Sequence, residues 1–253
     1  MTSQDDPTQF SILSHKFEGK LGINIYENLT LGVGSGYTQT EVGYGSYEGF
    51  PQYIDFYTQQ RLRRGTLFRP LQGFLLYDTQ TPQLAPQSGN LLQVTYEQNQ
   101  KQNDEPDYAK LQAIAQRIQP ISGQSLVSVF RIRHERVWGG DLPFFGQARL
   151  GGMSTLRSYR SGRYTDFASI LYAVEPRWVF WRPGDWAERL EFHVAAEAGR
   201  VYNSGTITTL YDQLHMSWVT GLTIVLDSGV PLRLDVGAGP EGTQAYLHLF
   251  YPF

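Results

Sequence analysis

The chain has 253 residues, with 21 Lys and Arg against 24 Asp and Glu, so its net charge of −3 leaves no basic excess for holding nucleic acid. It has no cysteine, which excludes disulfides and thiolate metal sites. It also has no run of about 18 apolar residues, so no membrane helix is expected. Residues 1–7 are polar and lack the apolar centre of a signal peptide, which is consistent with a cytosolic chain or with a mature form whose leader has been removed.

Period-2 alternation runs through most of the sequence. Spans of strand character are predicted at about 20–33, 37–47, 52–61, 67–78, 90–98, 108–120 and 124–137, then at 167–181, 188–202, 214–227, 230–238 and 243–253. Residues 9–17 offer a further strand. The segment YAKLQAIAQRI at 108–118 also has the composition of a short helix, but its alternation of Lys110, Gln112 and Gln116 against Ala109, Leu111, Ala113 and Ala115 favours a strand. On 124–137, Arg131, Arg133 and Glu135 share one face. On 167–181, Ile170, Tyr172, Val174, Trp178 and Phe180 oppose Glu175 and Arg177, with Pro176 on the apolar side.

The later strands divide in the same way. Leu190, Phe192, Val194, Ala196 and Ala198 alternate with Arg189, Glu191, His193, Ala195, Glu197 and Gly199. Met216, Trp218, Leu222, Ile224 and Leu226 alternate with Val219, Gly221 and Thr223, and Val230, Leu232, Leu234 and Val236 with Arg233 and Asp235.

Charge on one face and bulky apolar groups on the other fit two architectures. A soluble sandwich hides the apolar face in its core. A membrane barrel turns that face to lipid and the charges into its lumen. The spans are long for soluble strands, short and long connections alternate, and aromatics such as Trp178, Trp181, Trp186, Tyr202, Tyr211 and Trp218 gather near strand ends. All three features favour the membrane. The expected fold is therefore an all-β, transmembrane antiparallel barrel of about twelve strands over 20–253, preceded by a segment 1–19.

The longest connection, 139–166, contains LGGMSTLRSYRSGRY and shows neither helical nor strand period. A loop of that length is usually functional or disordered. Its glycines and aromatics point to an ordered loop folded into the lumen, where Arg157 would need acidic partners. Parity makes Glu175 and Glu197 the candidates. The alternative is a solvated loop without fixed contacts.

The run GDLPFFGQARLGGMSTLRSYRSGRYTD resembles the sixth external loop of the BamA/TamA-type outer-membrane assembly superfamily, the bacterial surface antigen barrels. That loop carries an apolar-Arg-Gly-aromatic motif, matched here by Leu156, Arg157 and Tyr159 with Ser158 in the glycine's place. The resemblance extends to Glu175 and Arg177, to Glu197 and Gly199 where the family more often has Asp, to DTQTPQLAPQSGNLLQVTYE, and to PLRLDVGAG with a last strand ending in Phe253. It implies lumenal partners for Arg157 at Glu175, Arg177, Glu197 and Gly199. Strand parity reads Arg131, Arg133, Glu135, Arg233 and Asp235 as lumen lining, and the resemblance further implies an assembly signal at Tyr251 and Phe253. Family barrels usually have sixteen strands and periplasmic N-terminal domains, so this chain is expected to be a compact member or part of a larger one.

No enzyme motif is complete. Gly152-Met153-Ser154-Thr155-Leu156 fails the Gly-x-Ser-x-Gly elbow at its last position. The histidines at 15, 134, 193, 215 and 248 lack ligand spacing, and the glycines of GVGSGY lead into no helix. No cofactor or metal is expected.

Two functions remain open. One is assembly or translocation of unfolded outer-membrane proteins or secreted clients through a weak seam between first and last strands, in the outer membrane of a Gram-negative bacterium. The other is a plugged or narrow passive barrel with a structural or small-solute role. Partners are the bilayer and such clients, with no nucleic acid; the sequence does not specify an oligomeric state. In the expected seam the strand near 20–33 pairs with a last strand whose outward set is Ala245, Leu247, Leu249, Tyr251 and Phe253.

Overall fold

The computed structural model describes residues 11–43, 66–101, 107–139, 142, 144–203 and 210–252. The expected span 52–61 lies outside them.

Among the described residues, eleven strands form one antiparallel sheet. They are β1 (Ser11–Tyr26), β2 (Leu29–Gly43), β3 (Thr66–Asp78), β4 (Gly89–Lys101), β5 (Tyr108–Ser122), β6 (Leu126–Gly139), β9 (Ala168–Trp181), β10 (Ala187–Tyr202), β11 (His215–Leu226), β12 (Pro231–Gly239) and β13 (Gly242–Leu249), and neighbours in sequence are neighbours in the sheet. The two short strands between β6 and β9, β7 (Ala148–Leu150) and β8 (Tyr164–Asp166), pair only with each other. Segment 108–122 is a strand throughout.

The N-terminal end departs from expectation. Residues 20–33 are not one strand: the chain turns at Glu27–Asn28, and β1 runs back to Ser11 through residues assigned above to a leading segment. Asn28 sits at φ 61, a left-handed conformation that asparagine tolerates. Among the described residues the sheet is not closed: β1 and β13 are its two edges and do not pair with each other.

Burial follows the alternation and inverts the pattern of a soluble protein. On β11, Ser217, Val219, Thr223 and Val225 are buried, while Met216, Trp218, Leu222 and Leu226 are exposed. On β12 the buried set is Pro231, Arg233, Asp235 and Gly237, and Leu234 faces out. Leu247 is 66 % exposed and Arg233 is 0 % exposed. Water would reverse that partition. A hydrocarbon surround with a polar interior accounts for it.

The outer face carries two aromatic levels. Trp178, Phe180, Trp181 and Trp186 lie at the short-turn end, with Trp181 edge-on to Trp186 at 6.1 Å; Tyr172, stacked on Tyr211 at 5.5 Å, lies toward the long connections. Tyr172 and Trp178 are six positions apart on β9, about 20 Å of strand. That matches an apolar band between interfacial girdles.

Candidate functional site

The connection between β6 and β9, as described at 142 and 144–167, folds against the sheet's inner face. It has more structure than its sequence suggested: a 3-10 turn at Phe144–Gly146, then the β7–β8 ribbon, which stands over β9 and β10. Between the ribbon strands, Gly151 and Gly152 take φ 104 and 110. A Cβ on Gly151 would lie 2.3 Å from the Arg160 carbonyl, so only glycine lets the loop close there. The Tyr159 amide donates to the Leu156 carbonyl at 2.9 Å, making Arg157 and Ser158 the two central residues of a tight turn. Leu150, Leu156, Tyr159 and Leu171 pack together beneath it.

That turn places Arg157, 0 % exposed, among three carboxylates. Its Nε donates to Glu197 Oε1 at 3.0 Å, its Nη2 to Glu175 Oε2 at 3.0 Å, and its Nη1 to Asp235 Oδ2. The Arg157 backbone amide donates to Glu197 Oε2 at 2.7 Å, so Glu197 holds both the main chain and the side chain of the loop tip. Burial works against the guanidinium's charge, but Glu197 and Glu175 outweigh it and hold its pKa above the ordinary arginine value.

The acids are shared with further cations. Arg233 grips Glu175 with two bonds, at 2.7 and 2.8 Å, and donates through Nε to Asp235 at 2.6 Å. Arg177 donates to Glu175 at 2.8 Å, and His193 Nε2 lies 2.9 Å from Asp235 Oδ1. β9, β10 and β12 each contribute inward-facing charges to one network centred on the loop. Buried charges survive only when paired and hydrogen-bonded in this way.

Glycines make the fit possible. A Cβ on Gly237 would lie 2.3 Å from the Arg157 carbonyl oxygen, and one on Gly239 would lie 2.4 Å from Ser158 Oγ. A Cβ on Gly199 would meet Leu150 at 3.0 Å. Ser158 is buried, its amide donates to Ser217 Oγ at 2.9 Å, and its side chain fills the space over Gly239. Tyr159 donates to the Met216 carbonyl, and its own carbonyl accepts from Tyr246 on β13, both at 3.2 Å.

Of the residues singled out in the sequence, the structure brings together Leu156, Arg157, Ser158, Tyr159, Glu175, Arg177, Glu197, Gly199, Arg233 and Asp235. Arg133 and Glu135 belong to a separate group, in which Glu135 receives Lys110 at 3.0 Å, Gln112 at 3.0 Å and Arg133 at 3.3 Å. Arg131 is buried on the same face of β6, in the field of Glu197 and Glu175. Phe253 lies outside the described residues.

Tyr251 requires a correction. It was placed on the outward face, but β13 ends at Leu249 and Phe250 takes φ 75, which resets the parity. Tyr251 turns inward: its hydroxyl donates to Glu191 Oε2 at 2.7 Å, and the Arg177 guanidinium lies 3.9 Å over its ring. Glu191 also receives Arg189 at 2.6 Å, and Arg189 reaches the Ala85 carbonyl in the β3–β4 connection at 2.8 Å. Arg189 and Glu191 were on the inward face in the sequence, but nothing there signalled Tyr251 or Ala85 as their partners.

An open antiparallel sheet with an apolar outer face, a charged inner face and an arginine loop bound against that inner face defines a membrane β-barrel protein. The Omp85 superfamily domain matches residues 1–246, and the chain belongs to that superfamily. Membership places it among the outer-membrane β-barrels. Similar solved structures include BamA from Haemophilus ducreyi lacking POTRA domains 1–3, at TM-score 0.66 and 15 % identity, covering 95 % of this chain and 53 % of that one. Another is CdiB from Acinetobacter baumannii, at TM-score 0.55 and 10 % identity, covering 96 % and 42 %. The chain thus spans about half the length of these neighbours. No curated protein sequence matches it.

Proposed function

We propose that the chain serves client-protein assembly or translocation at the Gram-negative outer membrane, with an incoming strand pairing at the edge formed by β1 and β13. The observation that carries this is the mismatch of those edges: β1 has 16 residues and β13 has 8. Joined to each other, they leave half of β1 without partners. Unsatisfied backbone groups in lipid cost several kcal/mol each, so such an edge favours a strand that supplies hydrogen bonds. The Arg157 network braces β9, β10 and β12 and keeps the rest of the wall rigid while an edge exchanges partners. Unfolded outer-membrane proteins or secreted proteins are the client class, and Tyr251 and Phe253 act in assembly of the chain itself.

The loop buried on the inner face favours a second reading, a plugged barrel with a structural or solute role. Reconstitution separates the two. Vesicles carrying the protein should speed membrane insertion of an unfolded client barrel, read by protease protection and heat-modifiable migration of the client. A cysteine pair between β1 and β13 should abolish that gain when oxidised. Conductance or silence with no acceleration of the client would overturn the proposal.

A further inference from the structure

The outer face of β9–β13 is uneven in a way that the register makes explicit. Phe192 pairs with Trp178 and Leu222, Leu222 with Leu234, and Leu234 with Leu247. These five form one continuous bulky rung across five strands, and all are exposed. The next rung toward the long connections is small throughout: Val194 pairs with Thr220, Thr220 with Val236, and Val236 with Ala245. Beyond it Ala196 pairs with Val174 and Trp218, and Trp218 with Ala238, so that a single large ring stands among small groups. The result is a trough of about 470 Å³ lined by Val174, Pro176, Val194, Ala196, Thr220 and Val236, with Trp218 as its far wall.

Three features define the occupant. The trough is continuous with the lipid-facing band, so hydrocarbon surrounds it. Thr220, the one side chain of its floor with a polar group, donates its hydroxyl to the His193 carbonyl at 3.3 Å, so the floor presents no side-chain donor to a polar partner. Its width is set by Leu222 and Trp218, four residues apart on β11, or about 13 Å. Once both side chains are in place, the gap holds one hydrocarbon chain in contact at about 4 Å on each side. A helix, at about 10–12 Å across, is too wide to reach the floor.

We propose that this trough seats one acyl chain of a bilayer lipid. The chain enters from the leaflet on the long-connection side, because the bulky rung closes the short-turn side while Ala196 and Ala198 leave the other open. Packing holds it, since hydrophobic transfer offers nothing between lipid and an apolar groove. Its far end lies against Ala245 on the edge strand, so the same lipid fills the surface beside β13.

The test uses phosphatidylcholine vesicles doped with a phosphatidylcholine that carries a photoactivatable diazirine midway along one chain. After photolysis, adducts mapped by mass spectrometry should be about fivefold more frequent at Val194, Thr220 and Val236 than at Phe130 and Ile132, which are equally lipid-facing but lie outside the trough. Filling the trough with Ala196→Phe, or separately with Ala238→Leu, should remove that excess, and Ile132→Trp should leave it unchanged. Both fillings face lipid and touch none of the Arg157 partners, and heat-modifiable migration checks that they fold. Adducts spread evenly over the outer face, an excess that survives filling, or crosslinks from the trough to a second copy would each overturn the proposal. The readout contains no client, so its outcome is independent of assembly activity.

Discussion

Replacing Arg157 by alanine tests the inner network most directly, because its three acidic partners are left in different positions. Glu175 keeps both hydrogen bonds from Arg233 and the one from Arg177. Asp235 keeps Arg233 and His193. Glu197, 0 % exposed, loses the Nε donor, and the backbone amide that also serves it is held in place only by the same loop tip. The expected cost is therefore that of one orphaned buried carboxylate, about 3–5 kcal/mol, with Arg131 nearby favouring the lower end.

Glu197→Gln alone keeps an acceptor for the amide and removes a charge, so it should cost about 1–2 kcal/mol. In the double variant no carboxylate is orphaned, and it should recover roughly 1–3 kcal/mol relative to the additive sum. Arg157→Glu should be worse than alanine, because it adds a fourth carboxylate, and Glu197→Arg in the same chain should restore part of the loss. Urea unfolding in detergent micelles gives the free energies, and trypsin cleavage at the exposed Arg160 and Arg163 reports loop release. Strand content by circular dichroism should not change. An Arg157→Ala protein within about 0.5 kcal/mol of the parent, or a double variant no better than the sum of its parts, would refute the reasoning.

Two further substitutions probe the loop's seat and the chain's end. Gly237→Ala places a methyl within 2.3 Å of the Arg157 carbonyl and should lift the loop tip from β12, costing about 1–3 kcal/mol and raising trypsin sensitivity, whereas Gly73→Ala, with nothing within 4 Å, should change neither. Tyr251→Phe removes the bond to Glu191 but keeps the ring under Arg177, so it should cost about 1 kcal/mol, and Tyr251→Ala clearly more, in the same unfolding assay.

How much of this was readable before the structure depended on whether strand period ran unbroken. From β9 to β12 it did. Counting by twos from Arg177 or Asp235 assigns most residues their face, and it placed Glu175 and Glu197 on the inward side; Ile170, expected outward, is buried, and Trp181, past a register shift, is exposed. At the N-terminal end the inward face of β2 is Gly32, Gly34 and Gly36, which shows no apolar or charged contrast. The reversal at Glu27–Asn28 has no glycine to announce it, so two strands were divided in the wrong place. Tyr251 failed for a different reason. Parity assumes an extended backbone, and the left-handed Phe250 breaks that assumption within one residue. The β7–β8 ribbon has three residues per strand, too short for any period to show.

The serine in the loop motif shows how a departure from pattern is absorbed elsewhere in the chain. A glycine at that position suggests a need for left-handed backbone or for space. Here the left-handed conformation falls two residues earlier, on Leu156 at φ 43, at a typical cost of about 1–3 kcal/mol that its complete burial in the loop's apolar cluster helps to offset. Space comes from the partner strand. The inward face of β12 reads Arg233, Asp235, Gly237, Gly239, so a carboxylate that accepts from the Arg157 guanidinium, itself held by Arg233, is followed by two glycines that admit the loop's backbone and then the Ser158 side chain. Position 158 and position 239 thus share one volume: with serine in the loop the strand must have glycine, and a side chain at 239 would require the loop to surrender its own. The loop and β12 behave as one fitted pair, and charge and bulk along β12 together fix where Arg157 binds.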